Sequence, residues 1–99
     1  MREFLIGFNK AFESKARLGI MSVLIVNESL SFNSLKELLE MTDGNLATHL
    51  RALEEQGYVS VKKQFVGRKP NTTYAATSVG RQAFTDHLTA LEDFIRNSA

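Results

Sequence analysis

Cysteine is absent from this 99-residue chain. That excludes a disulfide frame, a Cys-ligated zinc site and a thiol nucleophile. Proline occurs once, as Pro70, and no Gly/Ser-rich linker, low-complexity tract or repeat marks a domain boundary. The longest apolar run, Ile20 to Val26, is interrupted by Ser22 and is far below the ~20 residues of a bilayer-spanning helix. The opening Met1-Arg2-Glu3-Phe4 sets an acid beside its single base, with no small-residue cleavage site nearby, unlike a signal peptide. Catalytic patterns are missing too: there is no HExxH, no Gly-rich phosphate loop and no histidine paired with an aspartate as a catalytic set would need. Asp43, Asp86 and Asp93 are expected on helix surfaces. These absences predict an intracellular, cytoplasmic protein with no catalytic residue, metal or cofactor.

What is present suits a folded domain. The chain is 43% hydrophobic and 23% charged, the balance of a soluble globular protein rather than a disordered one. Its length fits one domain over 1–99, enough for a single core. The formal net charge of +1 argues against a nucleic-acid partner only until its distribution is read. Residues 1–55 hold six bases and eight acids, and residues 86–99 one base and three acids. Between Gln56 and Thr85 stand Lys62, Lys63, Arg68, Lys69 and Arg81 with no acid. Phosphate binding needs such a local positive surface, not a positive whole.

Hydrophobic spacing gives the elements. Phe4, Leu5, Phe8 and Phe12 form a stripe on a terminal helix within 1–13. Lys15 to Val26 reads as a mostly apolar central helix, ended by Asn27-Glu28-Ser29. Leu30 to Asn33 suits a short edge strand, and Ser34-Leu35-Lys36-Glu37 fits a capping box opening a short helix that buries Leu35, Leu38 and Leu39. Thr42 can cap a helix over 43–56 that buries Leu46, Leu50 and Leu53, with Gly57 as the left-handed stop. Tyr58 to Lys62 alternates like a strand, which Phe65 can extend, and Thr72 to Ala76 is a second strand. The loop between them spans 66–71. Thr77 or Ser78 caps a last helix over 78–97, whose stripe is Phe84, Leu88, Leu91 and Ile95, with Ala83, His87 and Phe94 beside it.

Two short helices separated by about three residues make a helix-turn-helix. With its leucines turned inward, the second helix presents Asn45, Thr48, Arg51 and Ala52 outward, with Gly44 and Ala47 near its start. Such a face fits a major groove about 12 Å wide, Asn45 and Thr48 reaching base edges and Arg51 a guanine or a phosphate. His49 is weighed as a DNA contact against a half-buried histidine bonding a neighbour. Lys62, Lys63, Arg68, Lys69 and Asn71 belong to the basic hairpin expected beside that helix. Adjacent strand residues face opposite ways, and edge lysines also block aggregation, so Lys62 and Lys63 are weighed as DNA contacts against that role.

The segment Leu46-Ala47-Thr48-His49-Leu50-Arg51-Ala52-Leu53-Glu54-Glu55-Gln56-Gly57-Tyr58-Val59 resembles the recognition helix and following strand of winged helix-turn-helix transcriptional regulators. The nearest groups are the multiple-antibiotic-resistance-regulator (MarR) and arsenical-repressor (ArsR) types and a compact winged-helix DNA-binding subgroup. Gly67-Arg68-Lys69-Pro70 and Tyr74-Ala75-Ala76-Thr77-Ser78-Val79-Gly80 resemble the wing and the Leu-Thr-x-x-Gly segment, with Ala76 in place of the usual Leu. Arg17-Leu18-Gly19-Ile20 resembles the opening of the first core helix. The resemblance, over about residues 14–85, implies an α+β, mainly α fold: a winged helix-turn-helix with a two-stranded wing hairpin and added N- and C-terminal helices. It implies a homodimer on double-stranded, near-palindromic DNA, with Arg68 and Lys69 in the minor groove. A small-molecule effector in a dimer cleft is common in the family, but nothing here identifies one. Metal sensing is not expected, because His49 and His87 are distant and cysteine is absent.

The stripes Phe4-Leu5-Phe8-Phe12 and Phe84-Leu88-Leu91-Ile95 exceed what a small monomer buries, so they are expected to form the dimer interface. A two-fold dimer would set two recognition helices roughly 34 Å apart. The competing reading is a winged-helix protein–protein module that does not bind DNA.

Overall fold

In a computed structural model the chain is described over residues 9–98. Phe4, Leu5 and Phe8 lie outside these residues. A 3-10 turn at Lys10–Glu13 leads into α1 (Lys15–Ile25), β1 (Leu30–Ser31), α2 (Phe32–Leu39), α3 (Asp43–Glu55), β2 (Val59–Val66), β3 (Lys69–Ala76) and α4 (Ser78–Ser98). The strands form an antiparallel sheet in the order β1-β3-β2.

Local chemistry sets the helix ends. Ser14 Oγ accepts from Arg17 N–H and starts α1. Ser31, not Ser34, caps α2: its Oγ accepts from Ser34 N–H at 3.1 Å, and the helix begins three residues earlier than the capping-box pattern suggests. Serine commonly caps whichever turn follows an extended residue, and Ser31 has ψ 159°. Leu38 of α2 is also not buried as expected; it is 59% exposed. In the turn between α2 and α3, Glu40 takes the left-handed conformation (φ 51°) that glycine usually fills. Lys36 Nζ meets Asp43 Oδ1 at 2.9 Å across that turn. Thr42 caps α3 through Asn45 N–H, and Gly57 (φ 80°) follows its end, both as the sequence indicates.

The core is wholly apolar. Ile20, Met21 and Leu24 of α1 meet Leu35 of α2, Leu46, Leu50 and Leu53 of α3, Val59 of β2 and Phe84 of α4. Phe12 joins them, 2% exposed, with its ring against those of Tyr58, Phe84 and His87. Asn9 fixes this corner: its backbone N–H donates to His87 Nδ1 and its Nδ2 to the Tyr58 hydroxyl. Phe12 and Phe84 (7% exposed) are therefore part of the chain's own core, correcting their expected place on a dimer face. They have little surface left to give a partner.

The start of α4 is stitched to the sheet. Thr77 Oγ1 donates to Gly57 O at 2.6 Å and accepts from Gly80 N–H at 2.9 Å, while Thr77 N–H donates to Tyr58 O. Arg81 Nη1 donates to Ile25 O at 3.0 Å, capping the C-terminal end of α1, where a cation suits the helix dipole. Arg81 thus leaves the hairpin's share of the basic block as Lys62, Lys63, Arg68 and Lys69.

Candidate nucleic-acid interface

The buried stripe Leu46-Leu50-Leu53 orients α3. At 3.6 residues per turn, Gly44, Thr48, Arg51 and Glu55 lie opposite it, and all four are exposed. Asn45 is exposed toward one flank of that face, and Ala47 lies half-buried on the other. Thr48 Oγ1 donates to Gly44 O at 2.9 Å. Its proton is engaged within the helix, which leaves its lone pairs and methyl to act outward. Glu55 stands about 10 Å along the axis from Thr48, so the part of α3 free of acid toward its outer face is its first two to three turns.

His49 turns toward α1. It is half-buried and its Nδ1 accepts from Arg17 Nε at 3.2 Å. This neighbour contact leaves the proton on Nε2.

The hairpin is tighter than the expected 66–71 loop. Val66 pairs with Lys69, so the turn is only Gly67-Arg68, with Gly67 at φ 67°. A positive φ at the first turn residue matches the strand twist and calls for glycine there. Lys69, Pro70 and Asn71 are strand residues, not loop. Pro70 is tolerated because β1 pairs only with Tyr74 and Thr73, so β3 has a free edge at Pro70.

Register separates the lysines. Val61, Lys63, Phe65, Pro70, Thr72 and Tyr74 share one face of the hairpin, paired as Val61–Tyr74, Lys63–Thr72 and Phe65–Pro70. This face looks toward α3 across a groove of about 180 Å³ lined by Ala47, Leu50, Arg51, Glu54, Val61, Lys63 and Tyr74. Lys62 lies on the opposite face with Ser60, Gln64, Thr73 and Ala75. Asn71 also faces that side, as the partner of Gln64, and is half-buried beside Phe32 and Asn33. Glu54 lines the groove between α3 and the hairpin. Burial first, and then the Glu54 charge, push the Tyr74 hydroxyl's pKa above its ordinary value. Among the described residues none of Arg51, Lys62, Lys63, Arg68 and Lys69 is in an ion pair. Their charge is therefore available to an outside anion.

Among the described residues no three His, Asp or Glu side chains converge on a metal-sized site. No described helix is long and apolar enough to cross a membrane.

A helix-turn-helix followed by a basic two-stranded wing defines a winged helix. The chain belongs to the winged helix DNA-binding domain family, whose model matches residues 16–95. It is 39% identical over 88 residues to an uncharacterised protein of Methanocaldococcus jannaschii, covering 89% of this chain and 96% of that one. Its fold is similar to that of a transcriptional regulator homologue from Pyrococcus horikoshii OT3, with a TM-score of 0.85 and 28% identity, over 97% of this chain and 93% of the other. A proposed transcriptional regulator from Salmonella typhimurium, ytfH, gives a TM-score of 0.71 and 28% identity over 96% and 80%. The chain is thus a winged-helix protein of the DNA-binding, transcription-regulating kind, and its family points to a non-enzymatic role.

Proposed function

We propose that this protein is a sequence-specific regulator that binds double-stranded DNA as a homodimer. α3 enters the major groove and the wing follows the backbone into the adjacent minor groove. The observation that carries this reading is the pairing of two surfaces: an outer face of α3 formed by Gly44, Thr48 and Arg51, and a hairpin whose exposed cations have no acid partner. In this reading Asn45, Thr48 and Arg51 read bases, while Lys63, Arg68 and Lys69 hold phosphates or the minor groove. Lys69 shares with Lys62 and Asn71 the face turned from α3 but adjoins the turn; Lys62 and Asn71, farther from the turn, take a lesser part, and His49 acts through its Nε2 proton.

The dimer is carried by α4. Leu88, Leu91 and Ile95 are 44%, 42% and 62% exposed, a stripe that begins at buried Phe84 and continues beyond the chain's own core. The apolar groove between α1 and the end of α2, lined by Ala16, Leu18, Gly19, Leu39 and Met41, is the place to look for a small-molecule effector of unidentified chemistry. The alternative protein–protein reading finds less support, because the exposed face of α3 carries no large apolar residue.

Binding is tested by fluorescence anisotropy on duplexes drawn from upstream of the protein's own gene, across a salt series. Arg68→Ala is expected to weaken all duplexes alike and to lower the salt slope by about 1. Asn45→Ala or Arg51→Ala is expected instead to change sequence preference, by about 1–3 kcal/mol per lost base contact. If the folded protein binds none of these duplexes at low salt, or if its affinity does not change with salt, DNA binding is the wrong function.

A further inference from the structure

The apolar character of the wing tip is not accounted for by the fold or by phosphate binding. Phe65 is 74% exposed and its neighbour Val66 62%. Phe65 faces Pro70 across the hairpin, so two apolar rings adjoin on the face turned toward α3. Neither belongs to the core or packs against it. Scattered exposed hydrophobics are ordinary, but this cluster is flanked by Lys63, Arg68 and Lys69, and residues 57–84 contain no acid.

Along this face of β2 the order is Val61, Lys63, Phe65, then the turn with Arg68. Alternate residues are about 7 Å apart. Val61 lies against α3, which fixes the inner end. With α3 in a major groove, Lys63 falls at the phosphate ridge, Phe65 with Pro70 over the adjacent minor groove, and Arg68 at its far side. A minor groove about 6 Å wide admits a single ring or aliphatic wedge. The surrounding positive charge selects a polyanion as the occupant over an apolar protein surface.

We propose that Phe65, backed by Pro70, is a minor-groove wedge that unstacks a base step and fixes where the wing sits on the duplex. This rests on the DNA-binding reading above and assigns the wing a role in shape readout, which favours flexible pyrimidine–purine steps at the contacted position.

The test uses the full chain and a duplex recovered by selection from random DNA, with 2-aminopurine replacing adenine in turn through the wing-facing tract. Wild type is expected to raise the fluorescence at one step, the mark of an unstacked base. Phe65→Thr keeps strand propensity and is expected to abolish that rise and to weaken binding about tenfold, with an unchanged salt slope because no phosphate contact is lost. Phe65→Leu is expected to restore much of both signals. Thermal melting of the free variants checks that the hairpin is intact. A flat 2-aminopurine signal from bound wild type overturns the wedge, as does an unchanged affinity of Phe65→Thr, which would assign the patch to a protein contact. In either case wild-type binding would leave the DNA reading standing, whereas a wild type that binds no duplex removes both.

Discussion

Replacing Leu88 and Leu91 together by aspartate is expected to yield a folded monomer that binds operator DNA about a hundred- to ten-thousand-fold more weakly than wild type, the range by which linking two modest sites raises avidity. Both leucines lie on α4 one turn apart and are somewhat less than half exposed in the isolated chain. The stripe they share with Ile95 continues from Phe84, which is packed on Phe12 in the core. The buried end of the stripe holds α4 to its own chain, and the exposed end is free to pair with a second α4. Introducing two charges there forces their desolvation on association, while in the monomer they can remain near water. Sedimentation reads the oligomeric state and circular dichroism the fold. A wild type already monomeric at tens of micromolar would remove the dimer from the account.

Gly80→Ala is expected to destabilise the fold by about 3 kcal/mol, the upper part of the range for overpacking a close contact. A Cβ at Gly80 would lie 2.1 Å from Tyr58 O and within 3 Å of Tyr58 C and Cα. The neighbour is backbone, so no side-chain rotamer relieves the clash. It is also bonded backbone: Tyr58 O accepts from Thr77 N–H, and the Thr77 hydroxyl links Gly57 O to Gly80 N–H. Relieving the clash means pushing α4 off the start of β2 and breaking that set of bonds. For a domain of this size the loss corresponds to a melting temperature lower by about 12–24 °C. An alanine variant melting within a few degrees of wild type would show that this junction yields easily.

That junction shows what the sequence could and could not reveal. Thr77 and Gly80 stood out as part of a family-like pattern, but nothing in the one-dimensional spacing says that Gly80 must touch Tyr58, some twenty residues away. The helices were legible because leucines at Leu46, Leu50 and Leu53 repeat at helical spacing and Thr42 and Gly57 mark the ends. The start of α2 lies earlier than the Ser34–Glu37 capping box suggests because the pairing of Leu30 and Ser31 with β3 holds the chain extended up to Ser31, which then caps the helix. Composition alone makes the wing loop look too long, because Pro70 and Asn71 are turn formers. Cross-strand pairing with Phe65 and Gln64 overrides that preference. The same register separates Lys62 from Lys63, a distinction the sequence suggests by alternation but cannot orient. Arg81 counted in the basic block until the structure tied it to the carbonyl of Ile25. An aromatic residue in a strand pattern is ordinarily buried, and the exposure of Phe65 is a property of the fold alone.

The central claim is that two copies of this chain present two α3 helices to one duplex. Selection of bound fragments from random DNA with the full-length protein, followed by sequencing, measures it most directly. The expected result is an enriched, near-palindromic pair of half-sites whose centres are about 10–10.5 base pairs, or one helical turn, apart. Failure of a folded dimer to enrich any sequence at low salt would contradict it, as would an enriched motif with no two-fold symmetry.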